Sequence, residues 1–117
     1  MQFTHHHAGD HIVAELTPDS DPIPTASDLL DVIANAGARR IVVHGHQLPE
    51  EFFDLKTGLA GEMLQKTSNY GVRLGIIGDF GDVTSDSLRA FITESNRSGQ
   101  IVFVPRVEDA LARFGGR

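Results

Sequence analysis

The sequence contains no cysteine among its 117 residues. This absence excludes a disulfide scaffold, catalysis by a thiolate and metal sites built from cysteine. No apolar run approaches the length that spans a bilayer, and the N-terminal residues lack the basic head and apolar stretch of a secretory signal. We therefore expect a cytoplasmic protein that does not insert into a membrane.

Positive charge is also scarce. Ten lysine and arginine residues stand against sixteen acidic ones, which gives a net charge of −6 with neutral histidine. Because nucleic-acid binding depends on a basic footprint, we expect no nucleic-acid partner. The length suits one domain, and no repeat or linker interrupts it, so residues 1–117 are predicted to form a single domain.

The hydrophobic pattern predicts a mixed α/β fold. A β-hairpin is expected over residues 2–16, with its two strands joined by Ala8-Gly9-Asp10. From residue 25 to residue 114, helical and strand patterns alternate, and residues 48–70 are predicted to be helical overall. The predicted order is β-β-α-β-α-β-α-β-α, in a single-domain, mostly parallel β-sheet with helices packed on it.

Residues 54–62 combine features that disfavour a plain helix. Gly58 and Gly61 each weaken a helix by about 1 kcal/mol relative to alanine. If a helix starts at Thr57, its free N–H groups would favour an anion, and Lys56 would add a positive charge. The alternative is one continuous helix, begun several residues earlier, that packs tightly against the sheet.

One stretch of the chain carries a family resemblance. The run FFDLKTGLAGE, which lies within residues 51–80, is its most specific part, and Ser87-Leu88-Arg89, Phe91-Ile92 and Glu94-Ser95-Asn96 add to it. From Arg40 onward the sequence resembles a bacterial family, domain-of-unknown-function family 4180. This resemblance implies membership of the family and brings no activity with it.

The predicted element order is also similar to that of STAS domains, the class that includes bacterial anti-sigma-factor antagonists. In that class the loop Asp-Ser-Ser-Gly-Leu-Gly opens a helix, and the serine before the first glycine is phosphorylated. Here Lys56-Thr57-Gly58-Leu59-Ala60-Gly61 occupies the corresponding place, so the resemblance assigns Thr57 to the phosphorylated position. The sequence departs from the pattern at Leu55 and Lys56, which replace Asp and Ser, and by an extra alanine before Gly61.

Polar residues cluster where predicted strands end. In parallel sheets ligands bind beyond the carboxyl ends of the strands, and there His44 and His46 follow one strand and Asp79 the next. These side chains could hold zinc or nickel, although the spacing has no helical His-x-x-x-His signature. The alternative is surface histidine on an edge strand, together with one loop histidine that is hydrogen-bonded to backbone. In the hairpin, His5 and His7 are expected on one face and His6 on the other.

Two functions follow from these observations, and we favour the first. It is a non-enzymatic regulatory or protein-interaction module, STAS-like and controlled by phosphorylation of Thr57. The residues that would bind the partner or act as the switch are Asp54, Lys56, Thr57, Gly58, Gly61 and Asp79. The second is a small-molecule- or metal-dependent enzyme that uses His44, His46, Asp54 and Asp79. We expect no cofactor. The expected partner is another protein, or a second copy of the chain that pairs with the exposed hairpin edge. Binding of a small-molecule ligand is a further possibility.

Overall fold

The computed structural model describes residues 1–115 and contains one five-stranded sheet. The strands follow each other across the sheet in chain order. The first pairs with the second in antiparallel fashion, and all later neighbours are parallel. The strands are β1 Phe3–Ala8, β2 His11–Leu16, β3 Arg40–His44, β4 Arg73–Ile77 and β5 Ile101–Val104. The predicted mixed, mostly parallel α/β fold is confirmed.

Helices occupy the connections between the parallel strands and the end of the described chain. They are α1 Ala26–Ala36, α2 Glu50–Phe53, α3 Leu59–Asn69, α4 Asp86–Ser98 and α5 Val107–Gly115. Two single 3₁₀ turns, Gly45–Gln47 and Leu55–Thr57, flank α2. Within residues 1–115, no helix has both the length and the apolar character to cross a membrane.

Local signals set the ends of α1 and α4. The side chains of Thr25 and Ser85 accept hydrogen bonds from the amides three residues later, at 3.1 and 3.2 Å, as N-caps do. Gly37 and Gly99 follow these helices with φ of 69° and 84°, a left-handed conformation that glycine adopts without strain. Side-chain caps and left-handed glycines therefore fix the bounds of both helices locally.

The hairpin turn is shorter than predicted. Ala8 pairs directly with His11, so only Gly9 and Asp10 form the connection. Gly9 has a φ of 60°, and a Cβ there would lie 2.6 Å from the carbonyl oxygen of Gly115. Glycine is therefore required by the close approach of the end of α5 as well as by the turn.

The segment from residue 48 to residue 70 is not one helix. It divides into α2, a 3₁₀ turn and α3, and α3 begins at Leu59. Gly58 separates the last two with a φ of 80°, which a right-handed helix cannot contain. The expected start at Thr57 and the continuous helix are thus both wrong: Thr57 closes the 3₁₀ turn.

The two faces of the sheet are covered unequally. Alternate side chains such as Ile41 and Val43 pack beneath α1, α2, α3 and α4, which form one layer. Val42 points to the other face, where α5 lies across all five strands. There α5 packs closely on Gly75, whose Cβ would meet Ala110 at 3.4 Å. The fold is therefore a three-layer sandwich with a single helix on one side.

Candidate functional site

Two adjoining cavities lie at the carboxyl ends of β3 and β4. The first, of about 380 Å³, is lined chiefly by His46, Phe53, Asp79, Phe80, Val83 and Leu88. The second, of about 350 Å³, is lined by Phe53, Asp54, Leu55, Lys56, Ser85 and Ser87. Because Phe53 borders both, we treat them as one feature, the strand-end groove. Its place agrees with the general location of ligand sites in parallel sheets.

Phenylalanine side chains form the floor of the strand-end groove. The ring centroids of Phe53 and Phe80 lie 6.1 Å apart, and Phe80 meets Phe103 edge to face at 5.2 Å. Below them, Phe52 and Phe91 also pack on Phe103, at 6.3 and 6.0 Å. Interlocked rings of this kind hold each other in place, so the floor is apolar and rigid.

Polar side chains on the rim are oriented by bonds to nearby backbone. His46 Nε2 pairs with the carbonyl oxygen of Pro18 at 2.8 Å. Asp79 Oδ1 accepts from the amide of Gly81 at 3.1 Å, and Asp54 Oδ1 accepts from that of Lys56 at 3.3 Å. The rim therefore presents two carboxylates, one imidazole and one ammonium group around an apolar floor.

Three of the amides expected to bind an anion are already bonded within the chain. The amide of Thr57 donates to Asp54 O at 3.0 Å, and that of Gly58 donates to Leu55 O at 3.2 Å. The next amide, of Leu59, donates to Thr57 Oγ1 at 3.3 Å. These three donors are therefore not available to the phosphate that the sequence led us to expect there.

The Thr57 hydroxyl is exposed but is also part of this turn. It lies 2.6 Å from Glu51 O and 2.8 Å from Asp54 O, so it donates to the end of α2. Neither Thr57, Gly58 nor Gly61 lines the strand-end groove, whereas Asp54, Lys56 and Asp79 do. The structure thus brings together only part of the predicted binding and switch set.

A buried carboxylate between two histidines was missed by the sequence analysis. Glu15 is only 9% exposed, and its Oε1 and Oε2 lie 2.7 Å from His6 Nε2 and 2.9 Å from His44 Nε2. All three residues lie on the face of the sheet that carries α5, since His6 is opposite Val13 and His44 follows Val42 by two positions. A buried carboxylate needs such donors. The available signal was an acidic residue inside the apolar run Ile12-Val13-Ala14-Glu15-Leu16.

The predicted metal residues are close together but already bonded. The rings of His44 and His46 lie 5.8 Å apart, while their Nε2 atoms pair with Glu15 and with Pro18 O. In the described part of the chain, no three His, Asp or Glu side chains are grouped so as to hold a metal ion. Metal binding at His44 and His46 stays a prediction.

Three arginines gather at the opposite end of the sheet. Arg73 Nε donates to Gly99 O at 3.0 Å, and its guanidinium stacks 4.8 Å from the centroid of the Phe114 ring. Burial lowers the pKa of Arg73, and the positive charges of Arg40 and Arg113 lower it further. Arg40 donates to Phe114 O and Arg113 to Asn96 O, so the cluster binds carbonyls where α4 and α5 end.

Comparison with known families gives a match over most of the chain. The model of a domain of unknown function, DUF4180, matches residues 8–114. The match reaches further toward the N-terminus than Arg40, where the sequence resemblance began, and it includes Glu15, His44 and the whole strand-end groove. No curated protein and no solved structure gives a significant match to the chain.

Proposed function

The chain belongs to the DUF4180 family, and we propose that it is a non-enzymatic regulatory module. In this proposal it binds a segment of a partner protein in the strand-end groove. The observation that carries the proposal is the groove itself, with an apolar floor of Phe53 and Phe80 beneath a polar rim. We place this role in the cytoplasm.

The shape of the groove favours a peptide segment over a compact ligand. Its two cavities share Phe53 as a lining residue, and each is open to solvent. An extended or helical segment could place one apolar side chain in each cavity, as in groove recognition generally. The rigid floor supports affinity, because the rings of Phe53 and Phe80 need not be ordered on binding.

The charge of the rim favours a basic partner. Asp54 borders one cavity and Asp79 the other, and the chain as a whole carries a charge of −6. Opposite charge on the partner speeds association and selects against acidic competitors. We therefore propose a partner segment with two apolar residues and flanking Lys or Arg. Lys56, on the rim of the second cavity, would pair with a carbonyl or carboxylate of that segment.

Phosphorylation of Thr57 would act on the groove through the turn. A phosphoryl group would replace the hydroxyl hydrogen that is donated to Glu51 O and Asp54 O, and it would place negative charge beside Asp54. Both effects loosen the 3₁₀ turn that carries Lys56 into the groove wall. We propose that the STAS-like switch works by opening this turn, since the amides of Thr57, Gly58 and Leu59 are occupied.

Site-specific photocross-linking in cells of the native host tests the docking proposal. A photoreactive residue replaces Val83, on the wall of the groove, or Ala112, an exposed position on α5. We expect one discrete protein adduct from position 83 that is missing from position 112. No adduct at either position, or the same adducts at both, would count against the groove.

Intact mass spectrometry tests the switch separately. Chain recovered from its native host at several growth stages should include a fraction with one added phosphate, located at Thr57. A pool that never carries phosphate would remove the switch, while the docking role would keep its own test.

A small-molecule enzyme is the second candidate, and one contact favours it. His46 and Asp79 line the same cavity, so a base and an acid could face one ligand. Elemental analysis of untagged protein and thermal shift with excess Zn²⁺ or Ni²⁺ test its metal-dependent form. Stoichiometric metal, with stabilisation that disappears in His44→Ala and His46→Ala, would support it. Absence of both would leave the docking role.

A further inference from the structure

The two edge strands of the sheet, β5 and β1, differ in whether a side chain bonds to their outward backbone groups. At the β5 edge, Asn96 of α4 lays its side-chain amide against Phe103: Asn96 Nδ2 donates to Phe103 O at 3.2 Å, and Phe103 N donates to Asn96 Oδ1 at 2.7 Å. A side chain thus occupies the position of a neighbouring strand at Phe103. At the other edge, no residue in the described range 1–115 does the same for β1.

The pairing of the hairpin fixes which groups of β1 face outward. The amide of Thr17 donates to Gln2 O at 2.9 Å, so Gln2 and Thr17 form a hydrogen-bonded pair. Such pairs alternate along antiparallel strands, so the even-numbered residues of β1 bond to β2. Phe3, His5 and His7 therefore direct their N–H and C=O groups away from the sheet.

Nothing in the sequence of β1 blocks this edge. Its six residues, FTHHHA, include no proline, lysine, arginine, aspartate or glutamate, and they pair with β2 without a bulge. Proteins commonly protect open edges with those features. The chain carries a net charge of −6, yet β1 contributes no acidic group, so two copies can meet here without opposed carboxylates.

We infer that β1 pairs in antiparallel fashion with β1 of a second copy, around a two-fold axis through His5. The outward residues are centred on His5, so a two-fold axis there would pair the backbone N–H and C=O groups of all three. His5 then lies opposite the partner's His5, and Phe3 lies opposite the partner's His7. This self-complementarity favours a second copy over a foreign strand. The two five-stranded sheets become one continuous sheet.

The inference does not depend on the proposed function. The strand-end groove is built from residues between positions 45 and 88 and includes none from β1. Each copy in the dimer keeps its groove accessible, so the dimer would present two docking sites. Failure of either proposal leaves the other intact.

Sedimentation equilibrium of the full chain tests the dimer, with matched substitutions at one exposed position. Wild type should reach twice the 12.7 kDa mass of the chain as concentration rises. His7→Pro removes an outward amide without removing a bond to β2, and it should weaken association roughly tenfold or more. His7→Ala loses the same side chain, keeps the amide and should associate like wild type.

Hydrogen exchange on the wild-type chain gives a reading that needs no variant. The amides of Phe3, His5 and His7 should become protected as concentration rises, while amides of exposed loops stay unchanged. A monomeric mass at every concentration would overturn the inference. So would a dimer in which these three amides exchange freely, or one that His7→Ala and His7→Pro weaken equally.

Discussion

Removing the buried Glu15 carboxylate should reveal how much stability its bonds to His6 and His44 contribute. In Glu15→Ala, His6 and His44 each lose a hydrogen bond to a charged acceptor, formerly 2.7 and 2.9 Å long. Such a bond contributes about 1.5–3 kcal/mol to stability. His6 keeps 26% of its side chain exposed against 12% for His44, so water replaces the lost partner better at His6. We therefore expect a total loss of about 3 kcal/mol in the free energy of unfolding.

Urea denaturation followed by circular dichroism measures this loss, with an unchanged slope as the sign that only stability has moved. For a chain of this length the melting temperature should fall by about 12 °C, at about 4 °C per kcal/mol. Glu15→Gln should lose about half as much, because its oxygen can still accept from one imidazole.

Glu62→Ala is the matched control for this measurement, since Glu62 is exposed on α3. The change there should stay within about 0.5 kcal/mol of wild type. If Glu15→Ala were no more destabilising than Glu62→Ala, the argument that two imidazoles hold a buried carboxylate would be refuted.

Three smaller predictions concern the turn after α2, the start of α3 and the β5 edge at Phe103, and denaturation measures each. Gly58→Ala should lower the free energy of unfolding by about 1–2 kcal/mol, because the φ of 80° at this position suits only glycine. Gly61→Ala should raise it by up to about 1 kcal/mol, because alanine favours the helix and its Cβ would meet no atom within 4 Å. Effects of the same sign would contradict this division. Thr57→Ala should lower the free energy of unfolding by about 1 kcal/mol, whereas Thr57→Ser should leave it almost unchanged, because serine keeps the donated hydroxyl hydrogen. Equal losses in the two variants would contradict the hydrogen bond from Thr57 to Glu51 O. Asn96→Ala should cost about 1–2 kcal/mol by freeing both backbone groups of Phe103, and Asn96→Asp should recover part of this, because it accepts without donating. An Asn96→Asp variant as weak as Asn96→Ala would argue against the acceptor contact.

Most of the architecture could be predicted because it depends on local features. The apolar run Ile41–Val43 has neighbours on both faces, and the caps at Thr25 and Ser85 act within one helical turn. The break inside residues 48–70 was not predictable in the same way. Apolar residues keep helical spacing across it, and the left-handed backbone at Gly58 does not alter that spacing.

In the candidate site, too, the residues that local features mark could be predicted, whereas contacts that depend on the three-dimensional fold could not. His46 and Asp79 were identified because residues beside strand ends meet at one edge of a parallel sheet. Asp54 and Lys56 were identified because they open the glycine-bearing segment 54–62. All four line the strand-end groove. The contacts of Glu15 depend on strand register, which places His6 and His44 on either side of it. Register is set by three-dimensional packing, so the sequence predicted only that His6 faces away from its two neighbours.

The most direct test of the docking role is the affinity of the cross-linked partner, once purified, for two variants that make equal changes in charge. Val83→Arg puts a bulky cation on the groove wall, and Ala112→Arg puts the same group on exposed α5. We predict that calorimetry will show an affinity for the partner that is roughly tenfold or more lower in Val83→Arg, and an affinity equal to that of wild type in Ala112→Arg. Equal affinity for both variants would contradict docking in the strand-end groove.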